Sequence, residues 1–173
     1  MMRLADDRRG VALAEFALVL PFLVLLYIGG YQLCDAISAY RKVTMATKTV
    51  ADLTTQFTSV STDDVNTVLN ASAQILAPYK VNSSKIIVTQ VFVDDKLKST
   101  VDWSIGKNVT GLTKGKAFDL PTAVKQPNSY IIVASIDYNY VPVIAKSLIG
   151  TIAMHDQILM GPRASVQVKM RSS

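Results

Sequence analysis

The sequence holds one cysteine, Cys34, and one histidine, His155, among 173 residues. A lone cysteine cannot close an internal disulfide framework or build a cysteine-based zinc site. Glutamate is equally scarce: 12 of the 13 acidic residues are aspartate, and the single glutamate, Glu15, lies inside the most apolar stretch of the chain. Only 18% of residues are charged while 50% are hydrophobic, which excludes a disordered chain and fits one modest domain plus a membrane segment. No phosphate-binding loop, nucleophile elbow or metal-ligand spacing is present, so neither enzymatic activity nor a cofactor or metal is expected. His155-Asp156 pairs a base with an orienting carboxylate, but without a nucleophile beside it the pair reads as structural or exposed. The net charge of +5 is spread along the chain with no recognition module, so nucleic acid is not an expected partner.

What the chain does have is a long greasy run. Residues 11–34, VALAEFALVLPFLVLLYIGGYQLC, carry only Glu15 and Gln32 as strongly polar side chains. As a helix this run would measure about 36 Å, enough to cross a hydrocarbon core of about 30 Å. Arg3, Arg8 and Arg9 precede it and the next basic residue is Arg41, so the positive-inside tendency holds the N-terminus in the cytoplasm and exports the rest. Ordinary secretion signals fit less well. A small-x-small site at Ala36-Ile37-Ser38 would leave a carboxylate and a proline inside the apolar core, and a lipoprotein site at Cys34 lacks a small residue in Tyr31-Gln32-Leu33. Cleavage after Gly10 would instead leave the whole helix on the mature chain, with Val11 as its N-terminus.

Gly10-Val11-Ala12-Leu13-Ala14-Glu15-Phe16, followed by ALVLP through Pro21, resembles the type IV pilin-like leader cut by prepilin peptidase. The Glu15-Phe16 pair and the Arg8-Arg9-Gly10 approach resemble in particular the TadE-like pseudopilins of tight-adherence (Tad/Flp) pilus systems. The resemblance implies processing between Gly10 and Val11, and a Glu15 carboxylate that meets the N-terminal amine of a neighbouring subunit. It makes Phe16 and the residues up to Cys34 a lateral helix-packing surface. It also implies company: a prepilin peptidase, other pseudopilins, the major pilin, an inner-membrane platform with its cytoplasmic ATPase, and membrane lipid. The expected location is the bacterial inner membrane with the C-terminal head in the periplasm, or a cell-surface pilus.

Physics gives the glutamate a role of its own. An acidic side chain at the centre of a spanning helix costs about 2.5–3.5 kcal/mol on insertion scales, less near an end, so it usually has a partner. The competing reading is a juxtamembrane charge that snorkels to the interface. Pro21 removes a backbone donor and Gly29-Gly30 loosens the helix lower down; these fit either a helix that bends on leaving the bilayer or an ordinary kinked anchor.

Beyond the membrane, Ala36, Ala39, Val43, Ala46, Val50, Leu53, Phe57 and Val60 recur at three- and four-residue spacings, one apolar stripe on a continuing helix. Arg41, Lys42, Thr47, Lys48, Asp52 and Gln56 form the polar side. An unbroken helix from Val11 to Val60 would be about 75 Å long. Its small and β-branched stripe suits packing on a sheet as well as a coiled-coil dimer. Ser61-Thr62-Asp63-Asp64 supplies cap residues for a second helix from about Asp63 to Ala77, with the acidic pair favouring its N-terminal end.

Four segments read as strands: Lys85–Asp94, Leu97–Ile105, Tyr130–Tyr140 and Ala164–Met170. The stretch from Gly106 to Ser129, with its glycines, prolines, Lys107, Lys114, Lys116 and Lys125, reads as an exposed loop. Val141 to Pro162 is expected to close over the core as a short helix and turn, the competing reading being a patch for a neighbouring subunit. The fold expectation is therefore α+β: a long N-terminal membrane-spanning helix as a pilin-like stem, a second helix, and a small antiparallel sheet. It divides into a leader at 1–10, a transmembrane and stalk helix at 11–60, and a periplasmic head at 61–173. The functional expectation is a minor pilin or pseudopilin that initiates, primes or caps a Tad-type pilus for adhesion. The alternative is an uncleaved, single-pass, membrane-anchored periplasmic binding or sensing module.

Overall fold

A computed structural model describes residues 9–144 and 150–171. Residues 1–8, part of the expected leader at 1–10, and residues 145–149, part of the segment expected to form a short helix and turn, lie outside the described residues.

Helix α1 (Arg9–Thr55) is a single element of 47 residues, about 70 Å long at the usual rise. Its stripe works as the spacing predicts: Ala39, Val43, Ala46 and Val50 are fully buried, joined by Ala51. Thr47, expected on the polar side, is also fully buried. It sits there by donating its hydroxyl to the Val43 carbonyl at 2.9 Å, as Thr54 does to Val50 at 2.7 Å. The helix ends at Thr55, short of Phe57 and Val60. Two β-branched residues in succession weaken the last turn, and the Thr55 carbonyl accepts the backbone N–H of Arg163 at 2.9 Å and of Ala164 at 3.3 Å. The returning chain thus occupies the place of the next helical turn. Val60 lies instead in a two-residue strand, β1 (Ser59–Val60).

Helix α2 (Thr62–Ala73) starts with a complete capping box. Asp64 donates its backbone N–H to Ser61 Oγ at 3.1 Å, and the Ser61 N–H donates to Asp64 Oδ2 at 2.8 Å. Those bonds, first from the Ser61 backbone and then from its hydroxyl, with Arg171 adding to them, hold the Asp64 carboxyl below its ordinary range. The α-helix stops four residues earlier than expected, a short 3-10 turn carrying the chain through Gln74–Leu76.

Strands β2 (Ser84–Val93), β3 (Ser99–Lys107), β4 (Ser129–Tyr140) and β5 (Ile152–Met160) form an antiparallel sheet in the order β3-β2-β4-β5. Three were predicted within a few residues. The fourth corrects the expectation: it is Ile152–Met160, inside the segment read as a helix and turn, whereas of Ala164–Met170 only β6 (Lys169–Met170) is a strand, paired in parallel with β1. Leu97, expected to open β3, occupies the turn before it with a positive φ of 61°.

Both faces of the sheet are covered. On one, α1 and α2 pack over Ile86, Val88, Trp103, Ile132, Ala134, Ile136 and Tyr138. On the other, Val91, Val93, Ile131 and Val133 lie under Phe118 and Leu120 of the long loop, which is therefore partly a lid on the core and not only a solvated excursion. Glycine is required where this loop folds back on β3: a Cβ at Gly111 would stand 2.4 Å from the Ser104 carbonyl oxygen. Of the loop lysines, Lys114 is engaged within the chain, 3.4 Å from Asp102.

The C-terminal segment is held as a strap. Val168 donates its N–H to Gln90 Oε1 at 2.9 Å, its carbonyl accepts from Trp103 Nε1 at 2.9 Å, and Gln90 Nε2 reaches Asp102 at 2.7 Å. Asp102 is free to serve because a bulge leaves it out of register, Gln90 lying opposite Trp103 but Val91 opposite Val101. Gln90 is fully buried, so Gln90→Leu strands the Val168 N–H and should cost about 1–3 kcal/mol. The expected result is a lower urea midpoint, with early proteolytic nicking between Arg163 and Arg171; an unchanged midpoint and cleavage pattern would show that the strap does not depend on this side chain.

Candidate functional site

What stands out among the described residues is an uncovered helix and the collar that joins it to the head. From Gly10 to Leu26 every residue of α1 is exposed, including Phe16 at 58%, Phe22 at 68% and Leu26 at 74%. No residue of its most apolar 18-residue window is buried, and the helix is long and apolar enough to cross a membrane. A soluble domain seldom leaves so long an apolar surface bare.

Gly10 and Val11 form the first turn of α1, and Glu15 follows one turn later on the open surface. Among the described residues Glu15 has no ion-pair partner. Pro21 sits within the helix, which runs unbroken through it and through Gly29-Gly30. A Cβ at Gly10, Gly29 or Gly30 would meet nothing within 4 Å, so no packing inside the chain demands glycine there. The predicted residues Gly10, Val11, Glu15, Phe16, Pro21, Gly29 and Gly30 thus lie along one bare rod and do not converge on a pocket.

The collar was not foreseen. Where the greasy run ends, Asp35 receives two tyrosine hydroxyls from the head: Tyr79 donates to Oδ1 at 2.8 Å, and Tyr140 donates to Oδ2. The two rings meet edge to face, 6.0 Å apart. Desolvation, followed by the hydrogen bond to the Asp35 carboxylate, pushes the Tyr79 phenol up to about 12, and the same causes push Tyr140 up as well. One turn nearer the N-terminus, Gln32 is 4% exposed and donates its amide N–H to the Ile144 carbonyl. On the other side Lys42 donates to the carbonyls of Ile75, at 3.5 Å, and Ala77. The collar therefore fixes helix and head together by three polar side chains of α1. The only signal in the sequence was a carboxylate placed directly after the apolar run.

His155 pairs with a different aspartate than expected. Its Nδ1 lies 2.6 Å from Asp137 Oδ1, directly across the β4–β5 ladder, while strand alternation turns Asp156 to the opposite face. Both partners are more than half exposed. Among the described residues no group of three or more His, Cys, Asp or Glu side chains is arranged to hold a metal ion.

These features define a class: a chain with one long apolar N-terminal helix, fit for membrane anchoring, carrying an α+β head on its distal half. Within that class, residues 10–52 match the family described as TadE-like protein. The match covers the bare rod, the collar on α1 and most of the buried stripe, and stops before the head. It extends the likeness first read at Gly10–Pro21 over most of the stem. No curated protein and no solved structure matches the chain. The likeness, confined to residues 10–52, suggests a Tad pilus-related component.

Proposed function

We propose that the chain is a minor pilin or pseudopilin of a Tad-type pilus, cut by prepilin peptidase between Gly10 and Val11 and built into, or priming, a filament used in adhesion. The observation that carries this reading is the division of labour along α1: one face of its distal half is buried in the head, while Gly10 to Tyr27 is left exposed all round, with one carboxylate one turn from the proposed processing bond. In the inner membrane, lipid covers the rod; in a filament, sister helices do. Glu15 then finds the ammonium freed at Val11 of a neighbour, an attraction that sets register between rods because both charges are removed from water. Residues 1–10 are the discarded leader, 11–60 the membrane and stalk segment, and 61–173 the periplasmic head. Phe16, Pro21 and Gly29-Gly30 supply the surface and the compliance that packing against other pilins requires. The partners are the peptidase, other pseudopilins, the major pilin and the membrane platform with its ATPase.

A second reading, an uncleaved anchor for a periplasmic binding or sensing head, draws on the fact that α1 begins at Arg9 and runs through the Gly10–Val11 bond. Intact-mass and N-terminal analysis of chain extracted from native membranes separates the two. A mature chain beginning at Val11 is expected; one retaining Met1 in piliated cells would establish the anchor instead.

A further inference from the structure

We propose that the loop Val141–Ile144 inserts into the outer face of the same bilayer that α1 spans, so that the head is held to the lipid surface at a second point. This rests on the reading of α1 as a membrane span. Val141, Val143 and Ile144 are 41%, 78% and 43% exposed, an apolar tip with nothing of this chain over it among the described residues. Its depth is fixed by the bond from Gln32 to the Ile144 carbonyl. Gln32 lies 21 residues beyond Val11, about 32 Å along the helix, against a hydrocarbon core of about 30 Å. With Val11 at the inner boundary, Ile144 therefore stands at the outer one.

The chemistry around the tip is that of a membrane interface. Tyr27, Tyr31 and Tyr40 are exposed on α1 at 77%, 52% and 46%, bracketing the same level as an aromatic belt does. A cleft of about 390 Å³ beside the loop is lined by Tyr79, Lys80, Tyr138 and Val143, offering rings and an ammonium where headgroups lie. The one carboxylate at this depth, Asp35, is already satisfied by two tyrosine hydroxyls and presents no bare charge to lipid. Because Gln32, within the greasy run, holds the Ile144 carbonyl, the tip lies beside the span itself, and while the chain sits in the inner membrane the lipid around the span is its occupant.

The test uses the full chain, with Cys34→Ser removing its one thiol, in vesicles of phosphatidylethanolamine and phosphatidylglycerol. An environment-sensitive fluorophore is placed in turn at Val143→Cys, at Leu25→Cys within the span, and at Val166→Cys, a side chain 78% exposed on the C-terminal strap. The Val143 probe is expected to shift to the blue, to be quenched by a shallow lipid-borne nitroxide, and to be several-fold less quenched by aqueous iodide than the Val166 probe. If Leu25 reports lipid while Val143 is quenched by iodide as strongly as Val166, the loop proposal is overturned and the span stands. If Leu25 itself reports water, both fall. Protection of Val143 from both quenchers overturns the proposal in favour of a protein partner.

Discussion

Glutamine at position 15 is expected to leave the chain inserted and processed but to cut the number of pili per cell by about tenfold or more, the equivalent of 1.4 kcal/mol at a subunit joint. The substitution keeps the shape and most of the hydrogen-bonding capacity of the side chain and removes only its charge. On insertion scales it makes the helix easier to accommodate in lipid, so a loss of pili cannot be put down to failed insertion. The charge matters at one place, where the side chain and a neighbour's ammonium leave water together. Net stabilisation from such a pair is small, but a subunit with the wrong register leaves both charges unmatched, and that mismatch is what costs. Immunoblotting for the processed chain in membrane and sheared-pilus fractions, with pilus counts by microscopy, checks each arm. Normal piliation with glutamine at this position removes charge pairing from the mechanism and leaves the architecture untouched.

Alanine at position 35 is expected to be the most damaging change in the head. It takes away the acceptor shared by Tyr79 and Tyr140, the second of which is only 2% exposed. Hydrogen bonds to a charged group contribute about 1.5–3 kcal/mol each, so the loss should total about 3–5 kcal/mol after allowance for water reaching the Tyr79 side. Calorimetry on detergent-solubilised chain should show the melting of the head fall by about ten degrees or more, at roughly 3–4 °C per kcal/mol for a folded unit of this size. The same collar predicts the response to alkali. Because the folded phenol of Tyr79 titrates at about 12, above its ordinary 10, its contribution is complete below pH 10 and fades as the pH climbs to 12. Tyrosinate absorbance should therefore rise in step with loosening of the head, and the alanine variant should shift that rise toward pH 10. A melting temperature unmoved by the substitution would show that packing alone holds helix and head together.

The parts of the fold that could be read in the sequence are those whose signal is local. The stripe from Ala39 to Val50 announces itself by spacing, and β2 and β4 do so by runs of Val, Ile and Tyr that only a central strand buries on both sides. Strand β5 escaped because an edge strand has little to alternate: Ile152, Ala153 and His155 are all exposed, and IAMHDQILM looks no more like a strand than like a helix. The opposite error arose at Ala164–Met170, where a clean period of two belongs to a strap pinned by side chains and a few backbone bonds to Thr55, Thr58 and Val60, with only a two-residue pairing to β1 and no place in the main sheet. At the site, Gly10, Val11 and Glu15 were singled out by a family likeness concentrated in a few adjacent residues, and it is that likeness which the match over residues 10–52 bears out. The collar was not, since its members lie 44 and 105 residues apart and only the folded head brings them together.

The way the C-terminal strap is fastened also ties distant parts of the head into one lock. Trp103, Gln90 and the end of α1 all find hydrogen-bond partners between Arg163 and Val168, so the bulged strand pair and the last helical turn share a single fastening. With the strap lifted, the sheet is an open book with an indole and an amide facing an empty margin, and truncation after Met160 should yield a head that never shuts.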